Sequence, residues 1–260
     1  MKKLLFFLLA IAPIGCKQPK ETREMPGAYN MLLQSLNDGQ KDSILVGAKQ
    51  LKIYTPDHMM YASYRADSSS SFGIATYTAG PEGVKEVIIY SAANSTDNTS
   101  NPTYDLKIET TPNGFKQAIE GLESDGRKYT IKEDYETIIS AKASPMDGAW
   151  KLTKRFAVTG KDTVMSDVIE YKTYWAGHVV WGASYMDSVK TKHTGIGYGS
   201  FEMNGENKTR EVVEVTTFYG IRGSTLDIDI AFNGADQFTQ IITGSDGTKN
   251  VEMYDRLKKN

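Results

Sequence analysis

Titratable side chains recur in this sequence at positions about 120 residues apart. His58 and His178 each follow a turn and begin a stretch that is rich in aromatic residues. A metal site needs three or four convergent ligands, whereas the 3 histidines of the chain are divided between its two halves. We therefore predict no metal site, and we expect both histidines to be structural, with the second ring nitrogen satisfied at a strand start.

Two acidic positions recur in the same way, as Glu86 with Glu211 and as Glu133 with Glu252. Inside a folded domain such acids could form a carboxylate pair, and acid–base catalysis would then require strongly shifted pKa values. Alternatively, they are outward-facing strand residues or partners for Lys and Arg on adjacent strands. We favour this alternative over the carboxylate pair.

Motifs of nucleophilic and metal-dependent catalysis are absent from the sequence. It contains no G-x-S-x-G elbow and no H-E-x-x-H motif, and Cys16 is its 1 cysteine. We therefore predict no catalytic residues, no cofactor and no enzymatic activity.

The recurrent side chains belong to an internal repeat that spans most of the chain. Lys52-Ile53-Tyr54 returns as Lys172-Thr173-Tyr174, and Asn113-Gly114 returns as Asn233-Gly234. A period of about 120 residues is far longer than a solenoid repeat, so each copy has the size of a domain. We place the two domains at residues 26–142 and 143–260.

The elements that must position these residues are strands. Leu226, Ile228 and Ile230 alternate with polar residues, which is typical of a half-buried strand. Short apolar runs end in Asn-Gly or Asp-Gly, which are strong hairpin signals, and each copy contains roughly eight such runs, enough to close an up-and-down barrel. We expect an exposed loop at 91–103 and a flexible turn at 195–199 that opens a strand at 200–203.

A family resemblance supports this fold. Gly148-Ala149-Trp150-Lys151-Leu152 looks like the G-x-W-x-L start of lipocalin-like domains, although the first copy has Tyr29 in place of Trp. The segment 51–60 resembles a pattern common in small lipocalin-like domains of exported Gram-negative proteins. The resemblance implies an all-β fold of two tandem eight-stranded antiparallel lipocalin-like (up-and-down) barrels.

An eight-stranded barrel can be filled by side chains or can hold one small ligand. The barrel opening suggested by the resemblance is flanked by aromatic residues, and we predict that they bind a small hydrophobic ligand: Tyr61, Tyr64, Phe72, Trp175, Trp181 and Tyr185. Two alternatives remain open. The aromatic residues can form a solid core, or the protein can be a structural or interaction module whose loops contact an envelope protein or a glycan.

The N-terminus predicts export and membrane attachment. Two lysines precede an apolar run at 4–14, which describes a secretory signal and is too short for a permanent membrane span. Cys16 resembles the lipobox cysteine of bacterial lipoproteins. The resemblance implies a signal peptide at 1–16, a lipid on Cys16, a polar tether at 17–25 and a place in the cell envelope, anchored to the outer membrane.

The net charge of the chain bears on its possible partners. A net charge of -2 gives no electrostatic basis for binding nucleic acid.

Asp followed by Ser or Thr and an aliphatic residue resembles an O-glycosylation sequon of exported Gram-negative proteins, with acceptors at Ser43, Thr163 and Ser188. The alternative, which we favour, is a strand entry in which Asp accepts a backbone N–H.

Overall fold

The structure, a computed structural model, describes residues 24–92, 102–124 and 126–259. The first sheet, barrel 1, has strands β1 Gly27–Asn37, β2 Asp42–Ile44, β3 Lys49–Tyr54, β4 His58–Tyr64, β5 Ser70–Gly80, β6 Gly83–Ser91, β7 Thr103–Thr111, β8 Gly114–Ser124 and β9 Arg127–Thr137. The second sheet, barrel 2, has strands β10 Gly148–Thr159, β11 Asp162–Met165, β12 Val168–Trp175, β13 His178–Met186, β14 Lys192–Met203, β15 Lys208–Thr216, β16 Thr225–Phe232, β17 Gln237–Thr243 and β18 Lys249–Arg256.

Each sheet closes on itself with antiparallel neighbours throughout. In barrel 1, β1 pairs with β9 on one side, while its first half pairs with β3 and its second half with the short β2. Barrel 2 repeats this plan with β10, β18, β12 and β11. The expected fold of two tandem eight-stranded antiparallel barrels is confirmed, and the short β2 and β11 are additions to it.

The same segment closes one end of each barrel. The Tyr29 hydroxyl donates a hydrogen bond to the Met25 carbonyl at 2.9 Å, and Trp150 Nε1 donates to the Met146 carbonyl at 2.8 Å. Both methionines are fully buried. Tyr29 thus does in the first copy what Trp150 of the G-x-W-x-L motif does in the second.

A third apolar core joins the two barrels. Because side chains alternate across a strand, β4 directs Met59 and Tyr61 into barrel 1 and Met60 and Ala62 outward. These outward residues pack against the outer face of barrel 2, where Thr173 Oγ1 donates to Met60 Sδ at 3.3 Å. The barrels therefore share an apolar interface formed by β3–β5 and β12–β14.

Several expectations fall outside the described residues. The signal segment, Cys16 and most of the tether belong to residues 1–23, and most of the loop expected at 91–103 belongs to residues 93–101. In the described part of the chain, no helix has the length and apolar character needed to span a membrane.

Candidate binding cavity in barrel 1

Barrel 1 contains a cavity of about 380 Å³ near the end of the strands that lies opposite Tyr29. Its polar part is formed by Gln34, Gln50, Lys52, Glu86, Gln117 and Glu133. Its apolar wall is formed by Ile88, Ile119, Leu122 and Ile131, and serines of β4, β5 and their connecting turn line it as well. The volume lies at the lower end of the range for small-molecule sites, about 300–1,000 Å³.

Glu133 is the centre of the polar part. Its carboxylate accepts hydrogen bonds from Gln34 Nε2 at 2.6 Å, from Gln117 Nε2 at 2.5 Å and from the Tyr135 hydroxyl at 2.8 Å. Gln50 Nε2 donates in turn to the Tyr135 oxygen. A buried carboxylate is tolerated only when hydrogen bonds replace its water, and three donors do so here.

Glu86 is held by different partners. Its Oε1 accepts from the Tyr54 hydroxyl at 2.7 Å and from Lys52 Nζ at 3.4 Å, and this ion pair is almost fully buried. Lys52 also donates to Gln117 Oε1 at 3.1 Å, which links Glu86 to the Glu133 cluster. Burial, reinforced by the neighbouring carboxylate, raises the pKa of the Tyr54 hydroxyl well above its usual value. Tyr54 therefore stays protonated and donates.

Barrel 2 repeats most of this network. Lys172 lies 4.0 Å from Glu211 Oε1 and donates to Gln240 Oε1 at 3.3 Å, while Gln240 Nε2 donates to Glu252 Oε2 at 2.5 Å. The Tyr174 hydroxyl donates to Glu211 Oε1 at 2.6 Å. Each contact has its counterpart in barrel 1, so the recurrent residues of the sequence form one interior arrangement twice.

The two networks differ at two positions. Arg155 of β10 stands where barrel 1 has Gln34, and Glu170 of β12 stands where it has Gln50. Arg155 Nη2 lies 2.7 Å from Glu170 Oε2 and 2.5 Å from Glu252 Oε1. Barrel 2 therefore has an arginine and a glutamate at the two positions where barrel 1 has two neutral amides.

The Tyr254 hydroxyl contacts two carboxyl groups inside barrel 2. It lies 2.5 Å from Glu170 Oε1 and 2.7 Å from Glu252 Oε2, yet it has one proton to donate. Burial raises the pKa of Glu170 despite the opposing Arg155. Burial also acts to raise the pKa of Glu252, but Lys172 and Arg155 outweigh it and lower that pKa. Burial therefore favours the protonated form of Glu170 more than that of Glu252, the carboxyl on the other side of the Tyr254 hydroxyl.

The acids are placed differently from our expectation. The expectation that Glu86, Glu133, Glu211 and Glu252 face outward was wrong, because all four are buried inside the barrels. Pairing with Lys or Arg on an adjacent strand holds for Glu252, which contacts Arg155 of β10. The recurrent pair Lys52 and Tyr54 could have indicated the interior position of these acids. Both side chains lie on one face of β3 and donate hydrogen bonds to Glu86 inside the barrel.

The six predicted aromatic ligand residues lie in separate places. Tyr61 lines the cavity, whereas Trp181, its counterpart, is buried in the core of barrel 2. Phe72 and Trp175 belong to the apolar core between the barrels. Two others lie at strand ends: Tyr64, beneath the Arg222 guanidinium at 5.7 Å, and Tyr185, stacked on His193 at 5.6 Å.

The two histidines also differ. His178 Nε2 lies 3.2 Å from the Ile139 carbonyl oxygen, beside a second cavity of about 360 Å³ between the barrels. His58 Nε2 is buried and has no hydrogen-bond partner among the residues that the structure describes, contrary to the expectation that it is satisfied. Burial lowers the pKa of this ring. Nowhere in the described ranges do three His, Cys, Asp or Glu side chains come together as a metal site would require.

The three acceptor residues of the sequon-like motifs are exposed. Ser43 lies in β2, Thr163 in the equivalent β11, and Ser188 in the turn between β13 and β14. In the last motif, Asp187 Oδ1 accepts from the backbone N–H groups of Val189 and Thr191. Glycosylation at these positions stays a prediction.

Comparison with known proteins adds little to this description. No family model matches the chain. No curated protein matches it. A solved structure of a protein of unknown function from the DUF3598 family of Nostoc punctiforme is 8% identical, with a TM-score of 0.28, and the match covers 89% of this chain and 96% of the other. A similarity at that TM-score carries no argument about fold or function.

Proposed function

We propose that this protein is a non-catalytic lipoprotein of the bacterial cell envelope that binds one small ligand in the cavity of barrel 1. The observation that carries the proposal is the cavity itself, with an apolar wall of aliphatic side chains and a buried polar part around Glu133. The sequence suggested a small hydrophobic ligand. The cavity favours an amphipathic one, with an apolar body and one hydrogen-bonding end.

The test of ligand binding is native mass spectrometry of the protein purified from its own host. We expect a non-covalent adduct that is lost on gentle activation. Ser63 lines the cavity, so Ser63→Trp should fill it and abolish the adduct. Gln40→Trp, at an exposed turn of the same barrel, is the matched control and should retain it. An adduct that persists in Ser63→Trp, or a wild-type spectrum without any adduct, contradicts the proposal.

Membrane attachment through Cys16 is the second part of the proposal. Two or three acyl chains on this residue would anchor the protein far more firmly than a single acyl chain. The chain enters barrel 1 at Gly27, which pairs with Tyr54, whereas the cavity residues Arg65 and Ser69 lie at the other end of the strands. Anchored in this way, the protein would direct its cavity away from the membrane.

Cell fractionation tests the anchor. We expect the wild-type chain in the membrane fraction and Cys16→Ala in the soluble envelope fraction. Cys16→Ala that remains with the membranes would exclude lipidation at Cys16 as the attachment and would leave the cavity proposal intact.

A second candidate function is an interaction module, and it is favoured by exposed apolar side chains on barrel 2. Val164, Met165, Met186 and Val189 are each more than half exposed. Val164 and Met165 are neighbours on the short β11, and a contiguous exposed apolar patch marks an interaction site. Replacing Val164 and Met165 with Ser should then abolish crosslinking to an envelope partner in cells, whereas Ser63→Trp should not.

A further inference from the structure

We propose that the ligand of barrel 1 carries a protonated amine or guanidinium group, and that this cation binds beside Gln34, Gln50 and Glu133. The site is equivalent to the one that the Arg155 guanidinium occupies in barrel 2. This inference rests on the proposed function, since it names the chemical class of the ligand for the same cavity.

The hydrogen-bond directions in barrel 1 support a ligand that donates. The Glu133 carboxylate can only accept, so Gln34 Nε2 and the Tyr135 hydroxyl must donate to it. Tyr135 has then used its proton, and Gln50 must present its Nε2 to the Tyr135 oxygen. The amide orientations of Gln34 and Gln50 are therefore fixed.

This fixed orientation leaves acceptors for the ligand. Gln34 and Gln50 are only 7% and 3% exposed, and both line the cavity. No described residue donates to the Oε1 atom of either amide, or to Glu86 Oε2. These three acceptor oxygens belong to residues that line the cavity, so the cavity is suited to a group that brings several N–H donors.

Barrel 2 provides the template for that group. There, one guanidinium contacts both Glu170 and Glu252, the counterparts of Gln50 and Glu133. Barrel 1 has kept Glu133 but lacks the arginine, and it has a cavity at this place. The guanidinium inside barrel 2 thus indicates the kind of group that barrel 1 would bind from solution.

The buried charges beside Glu133 favour a cation over an anion, and Arg65, which also lines the cavity, is exposed to solvent. The Lys52 ammonium is paired with Glu86 at 3.4 Å. Among the described residues, Glu133 receives hydrogen bonds only from neutral groups, two amides and one phenol. A cationic ligand would give Glu133 an opposite charge in a buried site, whereas an anionic ligand would face a carboxylate and three acceptor oxygens.

Ligand binding by the purified full chain tests the proposal. The probes are octylammonium, octanol and octanoate, which share one apolar body and carry a positive, a neutral and a negative head. We expect octylammonium to bind at least tenfold more tightly than octanol, and octanoate to bind most weakly. Isothermal titration calorimetry measures all three dissociation constants under one condition.

A pair of substitutions copied from barrel 2 provides the decisive variant. Gln34→Arg with Gln50→Glu should build inside barrel 1 a counterpart of the Arg155–Glu170 ion pair of barrel 2 and abolish octylammonium binding. Gln40→Arg adds the same positive charge at an exposed turn and should leave binding unchanged. If the double variant does not fold, Gln50→Leu removes one acceptor and should weaken octylammonium at least fivefold while leaving octanol unaffected.

The outcomes separate this inference from the proposed function. Equal binding of all three heads, or tightest binding of octanoate, overturns the cationic ligand, although the cavity still binds. No binding of any probe, or binding that the double variant does not change, overturns both. Competition by lysophosphatidylethanolamine would identify an amine lipid headgroup as the source of the cation, and its failure to compete would identify a free amine; either result supports the inference.

Discussion

The ring of Phe72 in barrel 1 lies directly against the backbone of Gly182 in barrel 2. A Cβ built at Gly182 would stand 2.1 Å from Phe72 Cγ, which no real side chain can do. Gly182 lies within β13 and pairs with Ile196 and Tyr171 of the neighbouring strands. The glycine is therefore required by the contact between the barrels.

Gly182→Val should destabilise the contact between the barrels more than either barrel itself. Overpacking a filled core costs about 1–3 kcal/mol, and the clash here can be relieved only by moving Phe72 or separating the barrels. We expect a lower melting temperature and faster proteolysis of the connecting segment 138–147.

The control for this substitution is a double-mutant cycle with Phe72→Ala. Removing the ring creates space for the valine, so Gly182→Val should cost much less in the Phe72→Ala background than in the wild type. Equal costs in the two backgrounds would show that Phe72 is not the source of the effect.

Arg155→Gln should destabilise barrel 2 by about 3 kcal/mol, because it removes the guanidinium that contacts the buried Glu252 carboxylate. Chemical denaturation, followed by the fluorescence of Trp150 and Trp181 inside barrel 2, measures the change. Adding Glu170→Gln reproduces the Gln34 and Gln50 pair of barrel 1. We therefore expect the double variant to recover most of the lost stability, and a double variant less stable than Arg155→Gln would refute the equivalence of the two networks.

The positions of the strands and hairpins could be predicted from the sequence, because alternation and Asn-Gly turns are local signals. Leu226, Ile228 and Ile230 lie in β16 as expected. The turn expected at 195–199 was wrong, since β14 runs unbroken from Lys192. Gly197 lies beneath the ring of Trp181, where a Cβ would stand 1.9 Å from Cζ2. A glycine that makes room for an aromatic ring on the next strand looks the same in sequence as a glycine in a turn.

The candidate site was harder to predict, because its groups are buried against the usual preference of charged residues. Glu133 lies inside because Gln34, Gln117 and Tyr135 arrive from three different strands, β1, β8 and β9. No local pattern reports such a combination. The repeat contained the relevant information, but only the registers show that Gln34 and Arg155 are equivalent.

The stability of barrel 2 should depend on pH through Glu170. Its pKa is raised in the folded state by burial, so folding binds a proton there that the unfolded chain releases above roughly pH 4.3. This contribution is complete below the unfolded pKa and is lost as the pH rises through the folded pKa. Glu170→Gln should remove this dependence.

The measurement is the free energy of unfolding at several pH values between 4 and 8. The wild-type value should fall relative to that of Glu170→Gln as the pH rises. Glu252, whose pKa is lowered, makes the free energy of unfolding rise with pH, and it does so in both proteins. A constant difference between the two proteins across this range would mean that Glu170 is ionised throughout.

Residues 143–260, expressed alone, should fold cooperatively but self-associate. The fragment contains every strand of barrel 2, including the β10–β18 pairing that closes it. Without barrel 1, however, it exposes the apolar face that the complete chain covers, formed by Tyr171, Val180, Ile196 and Tyr198. A patch of this kind promotes association, so sedimentation should show dimers or larger species. Val180→Ser with Ile196→Ser should restore a monomer with a cooperative thermal transition. An unfolded fragment would instead show that the barrels fold only as one unit.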